Sequence, residues 1–335
     1  MIRIALDAMG GDNAPQVEVE GTAMALRELP PTFRIQLVGR TADVEAALKQ
    51  HSQIDRSRLE VVEAPQVVGM AEKPLAAIRS EPRSSIAVAL GLQKDGRSDA
   101  FISAGNTGAV MAGATLMLRL HAGVRRAAIG AVFPTAGHSV LVIDGGANVD
   151  CDARELVNFA QLGSVFARDV LERQDPRIGL LNVGEEEEKG SAVVQEAHRM
   201  LKAAIGLHYL GNVEGRDILT GQCRAGRVDV VVCDGFIGNA ILKFYESAGR
   251  MFAGMLKQAF PDLMGRREAT QLLKFLDYSE YGGAPLLGIR GVAIICHGAS
   301  PARAIMNAVR VAAQMVGSRL SQDIGAVFAA GGAVA

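Results

Sequence analysis

Apolar and polar positions along this chain follow two rhythms. Short apolar runs, rich in valine and isoleucine and without polar alternation, recur at 2–7, 34–38, 59–63, 99–103, 129–133, 139–144, 178–182, 228–234 and 291–296. Runs of this length predict strands buried on both faces of a sheet. Between them the apolar positions take the helical period. In 153–172 they are Leu156, Phe159, Ala160, Gly163, Phe166 and Val170; in 301–320 they are Ala302, Ile305, Met306, Val309, Ala313, Val316 and Leu320. Pro301 suits the first turn of its helix. Strand–helix alternation along the whole chain predicts a three-layer α/β/α fold with a largely parallel sheet. One catalytic domain over 1–325 is expected, with a flexible tail over 326–335.

Composition narrows the picture. Of 335 residues, 49% are apolar and 21% charged, enough for a large core and too apolar for disorder. The net charge of −1 gives no global basic field for nucleic acid, so any anion site is local. The cysteines, Cys151, Cys223, Cys233 and Cys296, form no C-x-x-C pair; Cys233 and Cys296 end apolar runs and are expected in the core. The opening strand has no signal-peptide layout, and a reducing cytoplasm fits the thiols. Residues 100–118 carry no charge, yet Ser103, Asn106, Thr107, Thr115 and three glycines make this a strand, a turn and a buried helix rather than a membrane span.

In such folds ligands bind beyond the carboxyl ends of the strands. The first strand runs into Asp7-Ala8-Met9-Gly10-Gly11-Asp12, either a ligand loop or an ordinary turn. After Ser103 comes Gly105-Asn106-Thr107-Gly108, which reads as an anion cradle at a helix start or as simple capping by Asn106 or Thr107. Loops of the same style follow at 144–150, 182–190, 234–239 and 296–301, and the second of these sets Lys189 beside four glutamates. Asp150 and Asp152 read as helix-capping residues before a metal pair, and no metal site is expected. There is no G-x-G-x-x-G, P-loop, H-E-x-x-H or G-x-S-x-G.

Taken in order, these loops resemble one family. The segments are Asp-Ala-Met-Gly-Gly-Asp at 7–12, Ser-Ala-Gly-Asn-Thr-Gly-Ala at 103–109, Gly-Ala-Asn-Val-Asp-Cys at 146–151 and Gly-Glu-Glu-x-x-Lys-Gly at 184–190. Asp-Gly-Phe-x-Gly-Asn at 234–239, Tyr-Gly-Gly-Ala-Pro-Leu-Leu-Gly at 281–288 and His-Gly-x-Ser at 297–300 follow. The chain is similar to the phosphate acyltransferases of bacterial phospholipid synthesis, the PlsX family, over nearly its full length. The resemblance implies transfer of a fatty acyl group from acyl carrier protein (ACP) to inorganic phosphate, giving an acyl phosphate for glycerol-3-phosphate acylation. It implies a homodimer, no cofactor, and a fold like isocitrate and isopropylmalate dehydrogenases.

A phosphate oxygen is already anionic near neutral pH, so positioning and oxyanion stabilisation are the main tasks. On that reading Lys189 neutralises phosphate or the oxyanion, and Asn239 donates to the reacting carbonyl or to phosphate. Asp7, Gly10, Gly11, Asp12, Gly105, Asn106, Thr107, Gly108, Asn148, Asp234 and Gly238 surround the substrate. His297 is either the proton donor to the leaving thiolate or a structural residue.

A helical hairpin is expected at about 240–277, with an apolar stripe through Phe244, Met251, Phe252, Met255 and Phe260. Its tip holds Leu263 and Met264, with Arg266, Arg267 and Lys274 as basic neighbours. It reads as a dimer face, or as a peripheral contact with the inner face of the cell membrane, with ACP, or with the downstream glycerol-3-phosphate acyltransferase. The rival functions are a phosphotransacetylase-like enzyme using acyl-CoA, a decarboxylating dehydrogenase of similar fold, and a non-catalytic ACP- or lipid-binding scaffold.

Overall fold

The computed structural model describes residues 1–135, 137–260, 280 and 282–330. They cluster into two compact units, one of Met1–Ala127 with Tyr281–Ala329 and one built on Ala128–Glu280. Elements are numbered along the chain.

The first unit contains β1 (Ile2–Asp7), β2 (Phe33–Gly39), β3 (Leu59–Glu63) and β4 (Ala100–Ser103), and, where the chain returns, β12 (Ala284–Leu287) and β13 (Ala293–Ile295). Their order is β3-β2-β1-β4-β13-β12, with every neighbour parallel except β12 against β13. All four residues of β4 and the last four of β1 are buried, so both faces are covered. The covering helices are α1 (Gln16–Glu28), α2 (Thr41–Leu48), α3 (Pro74–Ser80), α4 (Ser85–Lys94), α5 (Thr107–Met117) and the returning Ala302–Gly317. The uncharged stretch at 100–118 is thus β4, a turn and α5. Among the described residues no helix is long and apolar enough to cross a membrane.

In the second unit the order is β5 (Ala128–Pro134), β6 (Ser139–Ile143), β11 (Val230–Val232), β7 (Arg177–Leu181), β8 (His208–Val213). Only β5 and β6 are antiparallel in this set. A small hairpin joins β9 (Gln222–Cys223) to β10 (Gly226–Arg227). The helices are α6 (Ala153–Asp169), α7 (Ala192–Ala203), α8 (Gly215–Thr220) and α9 (Gly235–Ala259). Asp152 closes a reciprocal capping box with Glu155 at the start of α6, which is the capping role expected of it.

The apolar runs all became strands, while three features departed from the pattern. The strands β8 and β12 were not expected: β8 is an edge strand, only partly buried, whose sequence HYLGNV has no apolar run, and β12 contains Pro285. The tail expected from Ala326 is helical as far as Ala329, because Leu320, Ile324 and Phe328 bury one stripe at the helical period. The first helix expected at about 240–277 is part of the long α9, and Pro301 sits one residue ahead of its helix as the cap. The part of the expected hairpin beyond Phe260, with Leu263, Met264, Arg266, Arg267 and Lys274, lies outside the described residues.

Candidate active site

Parallel order in the first unit brings the ends of β1, β4 and β13 side by side, and with them the loops after Asp7, Ser103 and Cys296. Asp7 organises this cluster from below. It is buried; its carboxylate accepts from the Ser103 hydroxyl at 2.7 Å and from the Met9 amide at 3.0 Å. Burial raises its proton affinity, and hydrogen bonds from Ser85, Ser103 and Met9 pull it back. The Ser103 hydroxyl in turn accepts from the Gly105 amide at 3.0 Å. A Cβ on Gly10 would stand 2.6 Å from that amide nitrogen, so only glycine lets the two loops touch. The Asp12 amide donates to the Gly298 carbonyl at 2.8 Å, joining the first loop to the third.

Asn106 caps α5. Its Oδ1 accepts from the Ala109 amide at 3.0 Å, and its Nδ2 donates to the carbonyls of Gly69, Met70 and Glu72. Both ends of the amide therefore hold protein. The groups left to face a ligand are the exposed Thr107 hydroxyl and the first-turn amides of Thr107 and Gly108, which have no intrahelical acceptor. They lie at the positive end of an 11-residue helix, a place that favours anions. His297 is exposed at the rim. Its Nδ1 accepts from the Ala299 amide at 3.1 Å, which leaves the proton of the neutral ring on Nε2.

In the second unit the adjacent ends of β6, β11 and β7 carry the corresponding loops. Asp144 is fully buried and accepts from the amides of Ile129, Gly146, Ala147 and Asn148 and from the Asn148 side chain, all within 3.1 Å. Burial raises its proton affinity against these donors. Asp144 thereby shapes the loop that carries Asn148, a role that no local sequence signal marks. Asp234 caps α9 by accepting from the Ile237 amide at 2.8 Å. Gly238 packs its Cα on the Asp144 carbonyl, where any Cβ would overlap the oxygen. Asn239 is exposed in this first turn and lies over Gly146: a Cβ placed there would be 3.3 Å from its own.

The acidic loop before α7 is stapled to the rest of the unit. Asn212 donates to the Glu186 carbonyl at 2.9 Å, Asn182 to the Lys189 carbonyl at 3.0 Å and Gln195 to the Glu188 carbonyl at 2.6 Å. These three amides lie far enough apart in sequence that no motif pointed to them. Lys189 is half-exposed and pairs with Glu186 at 2.8 Å, which strengthens its hold on its proton. It lines a polar cavity with His198, Asn212, Glu214 and Arg216. A smaller cavity beside the β6, β11 and β7 ends is lined by Val149, Cys151, Val193, Val194 and Ile237. Burial and the nearby carboxylates push the Cys151 thiol up to about 12, which disfavours its thiolate. Cys233 and Cys296 are buried, as expected.

The family described as "Fatty acid synthesis protein" matches residues 2–323. The chain belongs to this family. Its relatives include proteins named phosphate acyltransferase. The one from Heliobacterium modesticaldum is 47% identical over 323 residues, covering 94% of each chain. Those from Thermosynechococcus vestitus and Geotalea daltonii are 44% and 45% identical, covering 97% and 96% of this chain and 95% and 93% of their own. Among solved structures, a phosphotransacetylase from Streptococcus pyogenes has a TM-score of 0.64 at 14% identity, covering 94% of both chains. A 4-hydroxythreonine-4-phosphate dehydrogenase from Klebsiella pneumoniae has a TM-score of 0.55 at 15% identity, covering 94% of this chain and all of its own. These two share the fold.

Proposed function

We propose that this chain transfers a fatty acyl group from acyl-ACP to inorganic phosphate, releasing free ACP and an acyl phosphate for phospholipid synthesis. The observation that carries this reading is the family match, continuous from residue 2 to 323, with relatives named phosphate acyltransferase. The site chemistry supports it. A helix start with amides free of intrahelical acceptors and an exposed threonine hydroxyl suits phosphate, and pairing with Glu186 strengthens the hold of Lys189 on its proton.

In this mechanism the first-unit loops cradle phosphate through Thr107 and the amides of Thr107 and Gly108, with Gly10, Gly11 and Gly105 permitting close backbone approach. Asp7 and Asn106 act indirectly, by fixing those loops. A phosphate oxygen attacks the thioester carbon. Within the second unit, Lys189 offers a positive charge and Asn239 an exposed amide donor, the two kinds of group that stabilise a developing oxyanion. The C–S bond then breaks, and the leaving thiolate takes up the proton that the attacking hydrogen phosphate gives up, while the His297 Nε2–H can donate a hydrogen bond to the sulfur. Asn148, Asp234 and Gly238 hold the α9 start that presents Asn239. The deciding assay offers acyl-ACP and acyl-CoA at equal concentration with and without phosphate. Phosphate-dependent acyl phosphate from acyl-ACP is expected; preference for acyl-CoA would make the chain phosphotransacetylase-like, and binding without turnover would make it a scaffold.

The same reading places the protein at the inner face of the cell membrane as a homodimer. It rests on α9, which packs Ile241, Leu242 and Tyr245 on the core while Phe244, Met251, Phe252 and Met255 stand exposed. Replacing Met251 and Met255 by Glu is expected to reduce binding to anionic lipid vesicles. Unchanged vesicle binding with loss of the dimer would assign this face to self-association instead.

A further inference from the structure

Glu18 lies in the first turn of α1, beneath the loop that follows β1, and no step above uses it. It is 1% exposed. Its Oε1 lies so close to Gly11 that a Cβ there would collide with it, and its Oε2 has no hydrogen-bond partner. A carboxylate in the first turn of a helix ordinarily ionises readily. Here burial dominates: desolvation, reinforced by Asp7 and Asp12, pushes the group up to about 7 against the pull of the Glu18 and Gly11 amides.

The surroundings offer the ionised form little relief. Asp7 stands at the end of β1, Asp12 in the loop, and Cys296 beyond β13, where burial and then Glu18 push the thiol up to about 12. The helix Ala302–Gly317 crosses α1 at Gly21, which meets the Ala302 carbonyl and Ile305; the charged residue of that turn is Arg303, which has interactions of its own. On α2, Asp43 and Glu45 are engaged by Arg40 and Arg56.

We propose that Glu18 is a positioning residue that holds a proton beneath the phosphate loop, so that the loop accepts phosphate with Glu18 neutral and resists it with Glu18 ionised. The inference rests on the assignment of phosphate to the first-unit loops. The neutral carboxyl puts no negative charge under Gly11, and its hydroxyl is a donor. The carboxylate adds a third negative charge beside Asp7 and Asp12, close to an arriving dianion. Phosphate affinity therefore falls as pH rises through the titration of Glu18.

The test is the KM for phosphate, at saturating acyl-ACP, for wild type and Glu18→Gln between about pH 6 and about pH 8.5. The second ionisation of phosphate is common to both proteins and cancels in their ratio. The ratio of wild-type to variant KM is expected to rise roughly tenfold across that range, the effect of one nearby charge at partial screening. A ratio constant with pH overturns the proposal. Thr107→Val at the low end of the range separates this from the underlying assignment. A raised KM there with a flat Glu18→Gln ratio sinks the Glu18 proposal alone, and an unchanged KM sinks the phosphate assignment and the proposal together. If Glu18→Gln fails to fold, wild-type enzyme with carbon-13-labelled glutamate serves. By reciprocity phosphate must raise the Glu18 titration midpoint, and an unmoved midpoint overturns the proposal.

Discussion

At the end of β1, Asp7 accepts from Ser103 and from the Met9 amide; at the end of β6, Asp144 accepts from four amides and the Asn148 side chain. Both aspartates are buried, both have their proton affinity raised by burial, and both fix a glycine-rich loop. What they hold up differs. The first-unit loops present helix-start amides, a hydroxyl and a histidine rim, with only backbone glycine against the neighbouring loop. The second-unit loops present an exposed amide, Asn239, and a lysine in a ring of carboxylates. One arrangement offers fixed dipoles at a helix start, and the other a positive charge paired with Glu186. Similar scaffolding therefore does not imply duplicate sites.

Substitutions can break that comparison. The largest effect is expected at Lys189→Ala, which should leave a folded protein with turnover reduced roughly a hundred- to thousandfold, as for loss of one oxyanion donor. Near-normal acyl phosphate formation by the purified variant would remove Lys189 from the chemistry and leave the second unit without a distinctive role. Next is Asp144→Asn, which sets an amide donor against backbone donors in a buried site. Urea unfolding should show a loss of about 2 kcal/mol, and an unperturbed midpoint would mean that the loop is held by other contacts. The smallest effect is expected at Glu186→Gln. The partner of Lys189 is exposed, so the thermal midpoint should not move and the lysine should stay cationic at neutral pH. A large drop in turnover there would show that Glu186 orients the lysine and that the pair acts as a unit.

Much of this was readable in the chain, for identifiable reasons. Strands buried on both faces must be continuously apolar, so β1, β4, β6, β7 and β11 stood out. The edge strand β8 is under no such constraint and hid in HYLGNV. The glycines of the strand-end loops also announced themselves, because the turns and close approaches they permit are local. Side-chain roles were not local. Whether Asn106 holds a ligand or the carbonyls of Gly69, Met70 and Glu72 depends on a loop more than thirty residues away. Glu18 looked like any acid in the first turn of a helix; its burial under Gly11 follows only from how that loop folds back. Asn182, Gln195 and Asn212 meet around the acidic loop from three separate elements, and nothing in their spacing says so.

The place of β13 in the order of strands has a consequence for biosynthesis. It pairs with β4 along one edge, yet roughly 190 residues of chain separate them. While the ribosome makes those residues, at about 5–20 per second, β4 has an unpaired hydrogen-bonding edge on that side. The loop carrying His297 does not yet exist. For about ten seconds or more the nascent first unit is an incomplete sheet, open to the strand-to-strand pairing that leads to aggregation. The edge closes only when the last part of the chain arrives, so completion of the first unit waits on synthesis of the whole second unit.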